Sequence, residues 1–261
     1  MTQIMSNDKQ GLTFEIISTK IAEVQEERKY VIYTLQVRFI SDNDDTSPSM
    51  IERRYTNFLD LYTSLKKEYP HLMNNIVFPK KALTGNFSSE LISARSTGFE
   101  SLLKHITSNN QLKNSLALIA FLQDAELQTV KSLLHDMKYS LAYPILEDSL
   151  KLLNKVFTDR SPVVLLALVR LIACGASLPE FPDVLKWADL ALHRFEGVSD
   201  GDLLQLYVPL FRTCVKLWCQ NGRNPEELQK TLCSLQKQGV KMEEKSLIDA
   251  VKTVEEKIFG I

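Results

Sequence analysis

Arg53-Arg54-Tyr55-Thr56-Asn57-Phe58 is where an alternating, strand-like pattern gives way to a helical one. Before it, Met50 to Arg54 reads as a short strand. After it, Phe58, Leu61, Tyr62 and Leu65 recur at three- and four-residue steps, the period of a helix with one buried face. Thr56 or Asn57 is the expected cap of that helix, and Pro70 lies just past its end. Side chains alternate along a strand, so Arg53 and Arg54 must leave on opposite faces. Only one of the two guanidinium groups can readily serve a given site.

Working back towards the N-terminus, Leu12 to Val24 and Lys29 to Ile40 read as a strand pair around the polar turn Gln25-Glu26-Glu27-Arg28. In the second strand Val31, Tyr33, Leu35, Val37 and Phe39 share one face. Tyr30, Ile32, Thr34, Gln36 and Arg38 share the other, which is the signature of a half-buried strand. Ser41 to Ser49 is a polar loop, and with Met50 to Arg54 the sheet has three antiparallel strands.

Working forward, Asn74-Asn75-Ile76-Val77-Phe78-Pro79-Lys80-Lys81-Ala82-Leu83-Thr84-Gly85-Asn86-Phe87 has loop formers beside apolar residues and two adjacent lysines. A helix is expected from about Ser88. On it Arg95 lies three residues after Ile92 and four before Phe99, on their stripe, where a merely solvated arginine would be out of place. A further helix over Lys113 to Gln123 closes the unit. Between residues 51 and 104, eight basic side chains face five acidic ones, a local charge of +3 in a chain whose net charge is -1. Any anion site is therefore local. A broad attraction to nucleic acid or membrane is not expected.

Three strands, a helix opened by Arg53-Arg54-Tyr55 and Phe58, the Phe78-Pro79-Lys80-Lys81 loop, and Arg95 four residues before Phe99-Glu100 resemble, in this order, the phox-homology (PX) domain. The resemblance covers about residues 10–125. It implies phosphoinositide binding, mostly of phosphatidylinositol 3-phosphate. Arg54 would grip the 3-phosphate through its planar fork of donors, and Tyr55 would pack against the inositol ring. Lys81 would reach the 1-phosphate, with Lys80 as a possible further basic contact. Arg95 would hydrogen-bond the 4- and 5-hydroxyls, disfavouring headgroups phosphorylated there. Ile76, Val77, Ala82 and Leu83 are candidates for dipping into the bilayer, with packing against the loop itself as the alternative. Plainer readings stand beside these: a glutamate partner for Arg54, a core role for Tyr55, a solvated Lys81, and a pair between Arg95 and Glu90 or Glu100.

From about residue 127 onward no strand pattern appears. Amphipathic segments run near 127–138, 141–157, 162–175, 182–195, 201–220, 225–238 and 243–258, with helix punctuation between them, as at Asn224-Pro225-Glu226-Glu227. Helices of this length with short turns predict stacked hairpins over 127–260. Trp187 to Leu192 faintly resembles a tetratricopeptide stripe. The order of the two parts resembles the sorting nexins twenty and twenty-one, in which a helical, tetratricopeptide-like PX-associated B domain follows PX. The fold class expected is thus α+β: a PX sheet packed on helices, then an all-α region. Such stacks offer faces for protein partners. Tyr207, Phe211 and Trp218 are aromatics to consider there, core packing being their commoner fate.

The remaining features bound the function. Cys174, Cys214, Cys219 and Cys233 form no Cys-x-x-Cys pair and sit among apolar helical residues, as reduced buried cysteines do. The apolar run Val163 to Ala176, broken by Arg170, falls short of the roughly 20 residues of a membrane span. Met1 to Gln10 is polar, unlike a signal peptide, so a soluble protein with peripheral membrane contact is expected. His71, His105, His135 and His193 have no metal-ligand spacing and no catalytic motif is present. The expectation is a non-enzyme without metal or cofactor and without a nucleic-acid partner. The reading implied is a peripheral adaptor on the cytosolic face of early endosomes or at the plasma membrane. It would bind a phosphoinositide at one end and a protein partner or cargo at the other; the alternative is an interaction scaffold with little or no lipid binding.

Overall fold

The computed structural model describes residues 11–23, 29–39, 47–82, 85–178, 183–198, 200–240 and 245–259. Within them the chain divides into two compact units, residues 1–124 and 125–261. The turn at Gln25 to Arg28, most of the Ser41 to Ser49 loop, and Leu83 lie outside the described residues.

The first unit holds an antiparallel sheet in the order β1 (Leu12–Ala22), β2 (Tyr30–Phe39), β3 (Ser49–Arg54). The alternation in β2 is realised: Val31, Tyr33, Leu35 and Val37 are buried. They face an aromatic core supplied by the helices. Phe58 of α1 (Tyr55–Glu68) stacks on Phe99 of α3 (Ser89–Thr107) with centroids 3.9 Å apart. Tyr33 meets Phe99 edge-on at 5.1 Å, and Phe121 tilts against Phe58 at 5.0 Å. Offset and edge contacts of this kind add to the stabilisation from burying the rings. The short helices α2 (Pro70–Met73) and α4 (Asn110–Lys113) turn the chain between the longer ones.

β1 carries an irregularity between Ile16 and Ser18 that breaks its register with β2. The Ile16 backbone N–H there donates to the carboxylate of Glu100, at 2.7 Å. A ladder donor is thus satisfied from α3.

Two boundaries differ from the sequence reading. α1 begins at Tyr55, so neither Thr56 nor Asn57 is its N-cap. Extended Arg54 takes that place, and Asn57 acts from the third helical position by accepting the Arg54 N–H at 2.8 Å. The helix expected over Lys113 to Gln123 and the segment 127–138 are one helix, α5 (Leu116–His135), and the division between the units falls inside it. Asp124-Ala125-Glu126 contains no glycine or proline, so nothing local interrupts the helical ladder.

In the second unit follow α6 (Tyr139–Val156), α7 (Pro162–Gly175), α8 (Asp183–Phe195), a 3-10 turn (Leu203–Leu206), α9 (Tyr207–Gln220), α10 (Glu226–Lys237) and α11 (Leu247–Phe259). Neighbours in sequence from α6 to α10 pack in pairs. α7 is the centre: every residue from Val163 to Gly175 is buried, and α6, α8 and α11 all pack on it. Its one charge, Arg170, is met by Glu255 of α11, with Nε and Nη2 at 2.6 and 2.5 Å from the same oxygen. Removing one partner of a buried pair leaves an uncompensated charge. Glu255→Ala should therefore lower the unfolding free energy of this unit by about 3–5 kcal/mol, seen as an earlier urea transition of the full chain.

Burial corrects one further expectation, for two of the cysteines, and bears out core packing for the aromatics. Cys174 and Cys214 are buried, and burial pushes their thiols up to about 11 and about 12 respectively, so both stay protonated. Cys219 and Cys233 are exposed instead, because α10 buries none of its residues and Cys219 lies in the last turn of α9. Phe211 and Trp218 are buried and Tyr207 half-buried against Phe211, so these rings build the helical core. No helix among the described residues is long and apolar enough to cross a membrane.

Candidate functional site

The end of β3 separates the two arginines. Arg53 pairs with Tyr33 in the ladder and shares its inward face; it is 2% exposed. Its Nε donates to the carbonyl of Phe121 at 2.6 Å and its Nη1 to the carbonyl of Glu52 at 2.8 Å. Its guanidinium also lies 5.5 Å from the centre of the Phe121 ring. Arg54 pairs with Ile32 and stands on the exposed face. There its guanidinium carbon sits 3.5 Å over the ring of Tyr30, whose hydroxyl accepts from Nη2 at 2.6 Å. Such stacking orients the planar group by its face, leaving its recognition chemistry in the plane of the fork.

Tyr55 opens α1 and is half-buried. Its hydroxyl donates to the carbonyl of Pro79 at 2.8 Å, tying the helix start to the lysine loop. Its ring contacts Phe78 and Phe99, with centroids 5.7 and 6.0 Å away. The guanidinium of Arg95, from α3, lies 4.4 Å from the ring centre. The residue is thus both a core aromatic and a wall of the cluster. Burial raises its hydroxyl pKa above the ordinary phenol value, and the Arg95 charge opposes that rise.

Arg95 is 4% exposed. It pairs with neither Glu90 nor Glu100: Glu100 serves the β1 irregularity, and Glu90 accepts from Ser89. Its Nη2 donates to Oδ1 of Asn86 at 2.9 Å, while Nε is buried without a hydrogen-bond partner. The Tyr33 hydroxyl is buried close enough for this guanidinium to offset part of the rise that burial causes in its pKa.

The loop between α2 and α3 is seated by Pro79. A Cβ at Gly98 would lie 2.4 Å from Pro79 Cγ, so only glycine lets α3 approach the proline this closely. Lys80 and Lys81 are exposed. Val77 is 89% exposed, whereas Ile76 and Ala82 are half-buried. Tyr55, Arg95 and the Pro79 loop are therefore brought into direct contact. Arg54 joins them through the chain, and Lys81 through its loop. Two residues of this cluster are not singled out by the sequence, Tyr30 and Asn86. Tyr30 carries a weak signal, since it lies on the strand face that Arg54 shares; Asn86 carries none beyond its place in a loop.

A family model for the PX domain matches residues 41–125. Sorting nexin-20 of Bos taurus is 30% identical over 222 residues, covering 85% of this chain and 68% of that protein. Sorting nexin-21 of Homo sapiens is 29% identical over 232 residues, covering 88% of this chain and 61% of that protein, so the chain spans about three fifths of its length. Among solved structures, the mouse SNX19 PX domain with bound sulphate ion is 24% identical with a TM-score of 0.35, covering 42% of this chain and 94% of that one. The conjunction of the PX match with the relatedness to sorting nexin-20, which extends beyond that match, places this chain among the PX-domain sorting nexins.

Proposed function

We propose that the chain is a peripheral membrane adaptor of endosomal sorting. Residues 10–125 would bind a phosphoinositide, most simply phosphatidylinositol 3-phosphate, and residues 127–260 a protein partner or cargo. Arg54 takes the 3-phosphate through its guanidinium fork. Tyr55 packs against the inositol ring, Lys81 reaches the 1-phosphate, and Lys80 adds positive charge beside it. Arg95 hydrogen-bonds the 4- and 5-hydroxyls. The observation that carries this reading is the joint hold on Tyr55. Its hydroxyl bonds Pro79 of the lysine loop and its ring meets the Arg95 guanidinium, directly beside Arg54.

A headgroup contact by itself gives modest membrane affinity. Each basic side chain near an anionic leaflet adds about 1 kcal/mol, and stable attachment usually takes two signals. Val77, with Ile76 before it and Ala82 further along the same loop, supplies an apolar contribution next to the lysines, and the helical unit supplies the second attachment through its partner. The cytosolic face of early endosomes, where a 3-phosphoinositide would be met, is the address this implies, with the plasma membrane as a second one.

Vesicle co-sedimentation across a panel of phosphoinositides tests this reading. The full chain should pellet with vesicles containing phosphatidylinositol 3-phosphate and stay in the supernatant with phosphatidylcholine alone. Failure to pellet with any phosphoinositide would favour the scaffold reading, and preference for doubly phosphorylated headgroups would overturn the role given to Arg95. Val77→Asp should weaken vesicle binding about ten-fold, the order expected from losing one buried aliphatic side chain. Its affinity for the water-soluble headgroup, measured by calorimetry, should stay unchanged.

A further inference from the structure

Asn86 makes two hydrogen bonds, one to Arg95 and one to the lysine loop just past Lys81. Its Oδ1 accepts from Arg95 Nη2 at 2.9 Å, and its Nδ2 donates to the carbonyl of Ala82 at 3.0 Å, one residue past Lys81. An amide is the side chain suited to this, since it carries an acceptor and donors on one planar group, whereas a carboxylate lacks the donor. The backbone around it is fixed. Gly85, at φ 71°, precedes it, and its carbonyl accepts the Ser88 N–H at 3.0 Å. Ser88 then caps α3 by accepting the Leu91 N–H. Asn86 is half-buried, in a turn that cannot slide without uncapping the helix that carries Arg95.

Arg95 is thereby held from two sides, by the ring of Tyr55 and by the amide of Asn86. A buried guanidinium with so few hydrogen-bond partners has its orientation decided by them. The same amide fixes the loop at Ala82, which sets the reach of Lys81.

We infer that Asn86 is a positioning residue for headgroup selectivity: it orients Arg95 and couples that orientation to the lysine loop. This rests on the headgroup reading above and adds a residue to it. With Asn86 in place, Arg95 is held where hydroxyls at the 4 and 5 positions fit and phosphates do not. Without the Oδ1 acceptor Arg95 is free to turn on the Tyr55 ring and discrimination falls; without the Nδ2 donor the loop loses its tether at Ala82 and affinity falls.

The test is calorimetry on the full chain with two soluble probes, inositol 1,3-bisphosphate and inositol 1,3,4,5-tetrakisphosphate. Asn86→Ala should raise Kd for the first about ten-fold, the order expected from two lost hydrogen bonds. The Kd ratio between the probes should collapse towards one. Asn86→Asp, which keeps an acceptor for Arg95, should hold that ratio at or above the wild-type value even if overall affinity drops. In a double-mutant cycle Asn86→Ala should be strongly non-additive with Arg95→Ala and additive with Lys20→Ala, whose side chain pairs elsewhere with Glu52. An unchanged probe ratio in Asn86→Ala, or additivity with Arg95→Ala, would overturn the role of Asn86 and leave the headgroup reading standing. Binding of neither probe by the wild-type chain would instead remove the headgroup reading, and this inference with it. Should Asn86→Ala fail to fold, the Asn86→Asp ratio decides: a ratio lost despite the retained acceptor would overturn the inference.

Discussion

Arg53→Ala is expected to destabilise the first unit by about 3 kcal/mol without touching any headgroup contact. The side chain is almost wholly buried and gives hydrogen bonds to the carbonyls of Phe121 and Glu52. Truncation removes charge-assisted bonds and opens a cavity between β3 and α5, two mechanisms that each reach this order. For a unit of about a hundred residues, such a loss lowers the melting midpoint by roughly 15 °C. Differential scanning calorimetry on the full chain would show it as an earlier transition. Arg53→Lys should rescue little, because an ammonium has no rigid fork with which to reach two carbonyls at once.

Arg54→Ala should do the reverse. Arg54 is exposed and leans on Tyr30, so its loss should cost stability less than about 1 kcal/mol. Binding is where it counts. A guanidinium gripping a phosphate through two parallel hydrogen bonds is among the stronger polar contacts available. Losing one should weaken binding by about 3 kcal/mol, or about 100-fold in Kd. Surface plasmon resonance on vesicles containing phosphatidylinositol 3-phosphate measures this directly. Arg54→Lys should fall between, retaining the charge without the fork.

The contrast between these neighbours is legible in the sequence, because it follows from strand alternation alone. So is the inward face of β2, whose period of two leaves no other register with a buried core. Arg95 stands out by its place on an apolar stripe, and it is indeed buried. What holds it is not legible: both glutamates near it in sequence are engaged elsewhere, and its acceptor is Asn86, in a loop where an asparagine ordinarily signals only a turn. Tyr30 is hidden in a similar way. It meets Arg54 only once β2 and β3 pair, across a long polar loop, and alternation tells which face a residue takes but not which neighbour it meets there. Arg170 likewise reads as a flaw in an apolar run until α11 brings Glu255 to it from 85 residues away. The α5 boundary is misread although its buried positions Ile119, Gln123, Leu127 and Val130 keep helical spacing: the polar stretch Asp124-Ala125-Glu126 reads as a linker where it is only the less buried side of one helix.

In the proposed site Arg54, and not Arg53, reads the phosphate. Co-sedimentation of the wild-type chain, Arg53→Ala and Arg54→Ala with vesicles containing phosphatidylinositol 3-phosphate tests it, run in the cold where all three remain folded by circular dichroism. Wild type and Arg53→Ala should pellet, and Arg54→Ala should stay in the supernatant. Loss of binding in folded Arg53→Ala, with Arg54→Ala still pelleting, would contradict the account.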